Sequence, residues 1–277
     1  MLNRAVASRL EKIRSKQPWL VLSAAQNFSL ASSSNPVISH FYSFETSLLA
    51  QETKAIPDGC IDIIFDCDAS SPKAEVFGTP MAAINVELEC HHRYFGVRFA
   101  SSIIPNCLKV SAEELIEHHF SLEDVIPNAD QLLEEVAGQT DFAIQVAVFQ
   151  KFFENKEARQ LSMLTQAVVR FIFDQQGNIR IDKLAALTGY STRTIQRQFH
   201  ADMGMSPKAF SRIIRCQSAV YAINHRHQVT FSDMAFELGF SDQPHFLKEF
   251  KTLVSTTPKS YQRCVKQQAY LDKIQCF

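Results

Sequence analysis

The feature that most constrains this chain is a motif that occurs twice in its last hundred residues. Each copy places a short apolar segment, a glycine, a serine and a longer amphipathic segment in the same order. The copies are IDKLAALTGYSTRTIQRQF (181–199) and FSDMAFELGFSDQPHFLKEF (231–250). Glycine adopts the left-handed backbone of a tight turn, and a serine side chain can cap the helix that follows. Both copies therefore predict a helix-turn-helix, in which a support helix precedes a capped second helix.

The second helix of the first copy has two distinct faces. Ser191 is placed to cap it, and Ile195 and Phe199, four residues apart, point to one side. Arginine can pair with guanine and glutamine with adenine through two hydrogen bonds each, and histidine can contact phosphate. The candidate DNA-binding residues on the other side are Arg193, Gln196, Arg197 and His200.

The second copy repeats this arrangement with fewer base-reading donors. Gly239 supplies the turn, Ser241 is the expected cap, and Phe246 and Phe250 point inward. Pro244 falls in the first helical turn, where its missing amide costs little. The opposite side carries Gln243, Leu247, Lys248 and Lys251. We therefore expect the first copy to carry more of the sequence specificity and the second more of the positioning.

A single long helix is predicted between the two copies. Ser206 followed by Pro207 is a strong signal for a helix start, and the helical pattern runs to about residue 225. At 1.5 Å per residue this helix is about 28 Å long, close to the ~34 Å between successive major-groove faces of B-DNA. Such a helix would hold both reading helices on one side of a duplex.

The charge distribution agrees with a polyanionic partner for this part of the chain. The net charge is −1, but residues 177–266 hold 13 basic and 6 acidic residues, whereas residues 1–176 hold 14 and 22. A neutral chain divided into a basic and an acidic block suggests that only the basic block meets a polyanion.

Three further segments resemble a known family. The segments GMSPKAFSRIIRCQSA, MAFELGFSDQPHFLKEFK and TTPKSYQ resemble the DNA-binding domain of the AraC/XylS family of bacterial transcription regulators, over roughly residues 165–265. The resemblance implies that two recognition helices enter successive major grooves. Carried over by position, the reading residues are Arg193, Gln196 and Arg197 in the first helix and Gln243, His245, Leu247 and Lys248 in the second. Ser255 stands where the family usually has glycine, and Gln262 where it usually has arginine.

The N-terminal part of the chain is predicted to be rich in β-strands. Segments 60–66, 84–90 and 93–99 are β-branched or aromatic with partial alternation, and no helical pattern separates them. This favours an antiparallel sheet that closes into a barrel or sandwich. The block resembles the sensor region of some AraC-type regulators, which implies effector binding or dimerisation.

Helical patterns follow this block and lead to the C-terminal domain. Ser111 and Glu114 have the spacing of a capping box, and a helix is predicted over 140–154. The predicted fold class is therefore α+β. A β-rich, barrel- or sandwich-like domain (1–110) precedes a helical connector (111–176) and an all-α domain with two helix-turn-helix units (177–277).

The 140–154 helix leaves two alternatives open. Phe142, Val146, Phe149 and Phe153 form a stripe that can pack on the sheet of the same chain. Ile144 and Val148 add a second apolar face, which one contact surface does not need. Dimerisation through this helix is the other alternative.

No catalytic or metal site is predicted. The candidate ligands Cys60, Cys67, Cys90, His91 and His92 lack zinc-motif spacing, so no metal or other cofactor is expected. Asp62 and Asp66 share one face of a strand and Asp58 precedes it in a turn, and we interpret them as a solvated surface.

We therefore predict a one-component transcription regulator. Its expected partners are double-stranded DNA, RNA polymerase, a small-molecule effector and a second copy of the chain. Activation is the expected mode, although operator position decides between activation and repression. Seven cysteines without a C-x-x-C pair, together with the absence of a long apolar run or signal peptide, favour a cytoplasmic protein with no membrane contact. The alternative is a DNA-repair alkyl-transfer enzyme with a reactive cysteine, and a third is a pure protein-interaction module at the N-terminus.

Overall fold

The N-terminal part of the chain folds around one large β-sheet. The structure is a computed structural model that describes residues 17–47, 53–226 and 230–277. The strands are β1 (Ala24–Ser32), β2 (Ile38–Thr46), β3 (Lys54–Ala55), β4 (Asp62–Asp66), β5 (Lys73–Phe77), β6 (Ile84–Asn85), β7 (Arg93–Phe99), β8 (His119–Ser121) and β9 (Ile274–Cys276). Seven of them form a sheet in the order β8-β5-β4-β7-β2-β1-β9, and β3 pairs with β6 separately.

This sheet is open, which corrects the expectation of a closed barrel. Its edges are β8 and β9, and every neighbouring pair is antiparallel except β1 with β9. The centre is tight at the pairing of Tyr42 with Gly96. A Cβ at Gly96 would lie 2.0 Å from the Tyr42 ring, so only glycine fits there. The predicted strand over 84–90 is shorter than expected, because only Ile84–Asn85 is paired.

All helices among the described residues except the first follow strand β8 in the chain. The helices are α1 (Pro18–Ser23), α2 (Leu122–Val125), α3 (Ala129–Ala137), α4 (Phe142–Phe153), α5 (Met163–Asp174), α6 (Ile181–Thr188), α7 (Thr192–Met203), α8 (Pro207–His225), α9 (Phe231–Glu237), α10 (Gln243–Val254) and α11 (Pro258–Gln267). No helix among the described residues is long and apolar enough to cross a membrane.

One face of the sheet is covered by α3 and α4. The buried residues there form the sheet core, in which Phe149 and Phe153 of α4 pack among strand residues such as Phe41 and Phe65. The predicted apolar stripe of α4 therefore packs on the sheet of its own chain. Ile144 lies outside this contact and is 49% exposed.

The other face of the sheet packs against the C-terminal helices. The buried residues form one cluster, which we call the shared core. Sheet residues such as Phe28, Tyr42 and Phe44 belong to it, and so do Phe246 and Phe250 of α10. Strand β9 also connects the C-terminal end of the chain to the sheet, because it pairs with β1 in parallel register. The division of the chain at residues 110 and 176 stays a prediction, and β8 and β9 lie beyond its β-rich segment.

A third cluster, the first-unit core, lies within the C-terminal helices. All its buried members fall between Val168 of α5 and Ile214 of α8, and they include Leu184, Ile195 and Phe199. Partly buried Met81 and Ile116 pack at its margin. The fold is therefore an α+β arrangement with a β-rich N-terminal domain and a helical C-terminal domain, as predicted.

The three aspartates near β4 are buried, and the expectation of a solvated surface is wrong. Asp58, Asp62 and Asp66 are 2%, 7% and 3% exposed. The guanidinium of Arg98 donates to Asp58 at 2.6 Å and to Asp62 at 2.5 Å. Asp66 accepts from the hydroxyl of Tyr94 at 3.2 Å. A buried cation, supplied by β7, explains how a strand can turn its carboxylates inward.

The capping box at Ser111 is present, but it caps only a turn. The Ser111 amide donates to Glu114 at 2.7 Å, and the Glu114 amide donates back to the Ser111 hydroxyl at 3.2 Å. No helix follows, because Glu117 takes a left-handed backbone (φ 64°) and His119–Ser121 joins the sheet as β8.

Candidate DNA-binding surface

The first helix-turn-helix unit is formed by α6 and α7, as predicted. Gly189 ends α6 with φ 74°, and the side chain of Ser191 accepts from the Thr194 amide at 3.2 Å to cap α7. Ile195 and Phe199 are fully buried in the first-unit core. One face of α7 is thereby fixed, and its opposite face is free to meet a partner.

That opposite face carries the four residues predicted from the sequence. Arg193, Gln196, Arg197 and His200 are all exposed. None of their side chains forms a hydrogen bond or an ion pair within the described residues. Two guanidinium groups and an amide therefore stand in solvent on one helical surface, with their donors available for base edges or phosphate.

The second unit is formed by α9 and α10, and its cap differs from the prediction. Gly239 makes the turn with φ 69°. Asp242 caps α10, because its carboxylate accepts from the His245 amide at 2.7 Å. Ser241 donates to Asp242 at 3.1 Å instead of capping the helix. Aspartate is as good a cap as serine, so two adjacent cap-forming residues left the sequence ambiguous by one position. Pro244 lies in the first turn, as expected.

The outer face of α10 is less uniform than that of α7. Gln243, Lys248 and Lys251 are exposed. His245 is also exposed, but its ring lies against Phe240 and its Nδ1 is 3.1 Å from the Ser241 hydroxyl. Leu247 is partly buried and packs against the shared core. The second unit therefore presents two lysines and one free amide where the first presents two arginines and one amide.

The helix between the two units has the predicted bounds. Helix α8 covers Pro207–His225, its 19 residues begin at proline, and Ser206 accepts from the Ala209 amide at 3.2 Å. A contact that the sequence did not indicate fastens it to the second unit. Arg212 donates to both carboxylate oxygens of Glu249 on α10, at 2.7 and 3.2 Å. The partners are 37 residues apart, so no local pattern relates them.

The C-terminal end of α10 explains one departure from the family pattern. Ser255 caps it in the left-handed region with φ 64°. The corresponding end of α7 is Gly204, with φ 70°. The turn is thus the same in both units, although serine adopts this backbone less readily than glycine.

The residues considered for other chemistry are not gathered into a site. Among the described residues, no three His, Cys, Asp or Glu side chains are grouped so that they could hold a metal ion. Burial raises the pKa of the Cys67 thiol to about 11 and that of Cys216 to about 12. Burial also raises the pKa of Cys107 and Cys264. A reactive thiolate, which the alkyl-transfer alternative needs, is disfavoured at these four positions.

Two family models match the chain. Residues 184–263 match a family described as a helix-turn-helix domain, and residues 33–121 match one described as a domain of unknown function, DUF6597. The first match spans both units and α8. The second covers most of the open sheet.

The chain is also similar to curated proteins over part of its length. The chain is 31% identical over 108 residues to an uncharacterised HTH-type transcriptional regulator of Haemophilus influenzae, covering 39% of this chain and 36% of that protein. It is 28% identical over 78 residues to the HTH-type transcriptional activator RhaS of Klebsiella pneumoniae, covering 28% of each. The chain spans about a third of the length of these curated relatives. The chain thus carries a helix-turn-helix domain and is similar, over part of its length, to transcription regulators.

Two solved structures are similar to this chain, one over about a third of its length and the other over most of it. An AraC-type regulator of Chromobacterium violaceum is 20% identical, covering 38% of this chain and 92% of that one, with a TM-score of 0.34. The structure of ToxT from Vibrio cholerae is 11% identical, covering 82% of this chain and 98% of that one, with a TM-score of 0.46. Both scores lie below 0.5, so the fold assignment above depends on the strands and helices of this chain alone.

Proposed function

We propose that this protein is a sequence-specific transcription regulator that inserts α7 and α10 into successive major grooves of one DNA site. The observation that carries the proposal is the pair of capped helices on either side of α8, each anchored by buried apolar side chains and each exposing basic and amide side chains. The reading residues are Arg193, Gln196, Arg197, His200, Gln243, His245, Leu247, Lys248 and Lys251.

The two helices have different parts in this proposal. Arg193, Gln196 and Arg197 offer donors that match guanine and adenine edges, so α7 supplies most of the base discrimination. Lys248 and Lys251 contribute mainly charge, which binds phosphate and fixes the register on the duplex. Leu247 can contribute only its exposed edge, for instance to a thymine methyl group, because it is partly buried.

Control through the N-terminal domain is part of the same proposal. The sheet and the second unit share one apolar core, so an effector or a second copy that shifts the sheet also shifts α10. Dimerisation through the outer face of α4 rests on Ile144, which is 49% exposed. Contact with RNA polymerase, activation and a cytoplasmic location complete the proposed function, as inferred from the sequence.

The test begins with genomic fragments selected by the purified full chain, followed by footprinting of the bound DNA. Arg197→Ala and Lys248→Ala are then compared with wild type on the selected site. We expect Arg197→Ala to relax base preference at one position by about 1–3 kcal/mol. Lys248→Ala should weaken binding to all sequences alike and reduce the salt slope by about 0.9.

The matched control is Lys109→Ala, which removes an exposed lysine between β7 and β8, outside α4 and both helix-turn-helix units. All three variants should melt within about 1 °C of wild type, because surface changes of this kind cost little. Wild-type affinity in both Arg197→Ala and Lys248→Ala would refute groove reading by these helices.

A further inference from the structure

A cleft lies between the two helix-turn-helix units. Its volume is about 650 Å³, and it is bordered by the start of α6, the first half of α8 and one face of α10 from His245 to Leu253. This volume lies within the range of about 300–1,000 Å³ that small-molecule sites occupy. Two cavities that border the sheet are far smaller, at about 20 and 30 Å³.

The walls of this cleft, which we call the inter-unit cleft, are apolar on both sides. Ile181 and Leu184 line it from the first unit. Phe240 and Phe246 line it from the second unit. A molecule in the inter-unit cleft therefore contacts both units at once and can bury an apolar body between them.

The floor of the inter-unit cleft holds a cation with unfilled donors. Arg215 of α8 stacks over the Phe240 ring, with 4.9 Å between its guanidinium carbon and the ring centroid. One Nη2 hydrogen reaches the Gly177 carbonyl at 3.0 Å. Its Nε is buried and has no hydrogen-bond partner within the described residues. A buried donor without an acceptor is uncommon, because it has given up water and gained nothing in return.

The carboxylates that line the inter-unit cleft are paired with other arginines. Glu249 is held by both nitrogens of Arg212, and Asp182 lies 3.5 Å from Arg180. Lys208 also lines the cleft and forms no ion pair within the described residues. Four cationic side chains thus face two carboxylates, which leaves a formal charge of +2 before His245 is counted.

We propose that the inter-unit cleft binds a small organic anion: a carboxylate with an aromatic or branched apolar body. The carboxylate accepts from the part of the Arg215 guanidinium that lines the cleft and from Lys208, and the apolar body lies between Ile181 and Phe246. This site goes beyond the proposed function, which places control in the N-terminal domain. A ligand held there fixes the distance between the units, and therefore the spacing of α7 and α10 on DNA.

A phosphate of the DNA backbone is the competing occupant, and the partial burial of the Arg215 side chain argues against it. A backbone phosphate belongs to a bulky duplex and stays at the rim of a cleft, where Arg180 and Lys208 are exposed. A small carboxylate can reach the floor. The two occupants therefore predict different roles for Arg215.

The experiment is a calorimetric titration of the full chain, without DNA, by benzoate, 2-naphthoate and 4-phenylbutyrate. Each acid is paired with its neutral amide. We expect at least one acid to bind at one site with a Kd below about 1 mM, and its amide to bind at least tenfold more weakly. Absence of saturable binding by all three acids up to about 10 mM overturns the proposal, as does equal binding of acid and amide.

Variants then locate the site. Arg215→Gln should weaken binding of the acid at least tenfold, and Lys208→Gln, at an exposed position, about threefold. Arg170→Gln is the matched control, because Arg170 is exposed on α5 and pairs only with Asp174 there. If circular dichroism shows that Arg215→Gln does not fold, Lys208→Gln alone tests whether the acid binds in the inter-unit cleft.

Three further outcomes decide against the site. Unchanged acid binding in both Arg215→Gln and Lys208→Gln overturns the proposal. Equal weakening in Arg170→Gln shows a general charge effect and overturns it too. If Arg215→Gln lowers DNA affinity while acid binding is unchanged, the cleft belongs to the DNA backbone. Because the titration contains no DNA, failure of this site leaves the groove-reading proposal to its own test.

Discussion

The two helix-turn-helix units have the same local design but are buried in different surroundings. The first has its own core, whose buried members all lie between Val168 and Ile214. The second has no separate core, since Phe246 and Phe250 share theirs with Phe28 and Tyr42 of the sheet. One unit is thus a helical module fastened at its margin, whereas the other is structurally continuous with the N-terminal domain.

The largest expected effect comes from removing a ring from each core. Phe250→Ala and Phe199→Ala both delete a fully buried phenylalanine, and each should cost about 3–5 kcal/mol of stability. Hydrogen exchange should distinguish them. Phe250→Ala should raise exchange in α10 and also in β1 and β2, whereas Phe199→Ala should raise it in α5 to α7. If Phe250→Ala leaves β1 and β2 protected, the second unit is as separate as the first.

The next effect tests whether the C-terminal strand β9 helps to stabilise the sheet through its pairing with β1. The Phe28 amide donates to the Lys273 carbonyl at 2.8 Å, and Lys273 Nζ donates to the carbonyls of Leu22 and Ala24 at 3.1 and 2.7 Å. A chain ending at Tyr270 loses these bonds and should be less stable by about 2 kcal/mol. Exchange should rise in β1 and remain unchanged in α7.

The control for this truncation is Gln275→Ala, which changes an exposed side chain of β9 and keeps its backbone. It should leave the thermal midpoint within about 1 °C of wild type. Loss of protection in α7 on truncation would contradict the separation of the two units.

A smaller effect compares the C-terminal ends of α7 and α10. Ser255 and Gly204 both take a left-handed backbone, with φ 64° and 70°. Ser255→Gly should therefore stabilise the protein by about 1 kcal/mol, measured as a higher thermal midpoint. Gly204→Ala should destabilise it by more than that, because its Cβ would lie 2.2 Å from the Ala112 carbonyl oxygen. A lower midpoint for Ser255→Gly would show that Ser255 has a stabilising contact.

The smallest effect is the pH dependence of the cap of α10, which the serine cap of α7 does not share. The hydrogen bond from the His245 amide holds the pKa of Asp242 below its ordinary value of 3.8. A lowered pKa in the folded state means that this cap stabilises above about pH 4 and is lost as the pH falls through the folded value. Protection of α10 should therefore decrease on acidification, and less so in Asp242→Asn, which cannot titrate. The Ser191 cap of α7 has no such group. Identical acid profiles for wild type and Asp242→Asn would show that the Asp242 cap does not contribute to the pH dependence of α10.

Most local features of the candidate site followed from the sequence. The two turns, the Ser191 cap and the bounds of α8 depend on residues within a few positions of one another, so local chemistry decides them. The exposed faces could be predicted for the same reason. Residues four positions apart lie on one side of a helix, so the buried residues define one face and the remaining positions face solvent. The cap of α10 was displaced by one residue because Ser241 and Asp242 are equally able to form it.

The sequence by itself determined that this chain carries two capped amphipathic helices with one long helix between them. Tertiary structure alone decided which residues those helices pack against. Asp58 and Asp62 turn inward because Arg98, 36 residues or more away, supplies the charge that makes burial affordable. The sharing of one core, the pairing of β9 with β1 and the unfilled donor of Arg215 likewise depend on residues distant in the chain. No local pattern records such contacts, because they are stabilised only when the whole chain has folded.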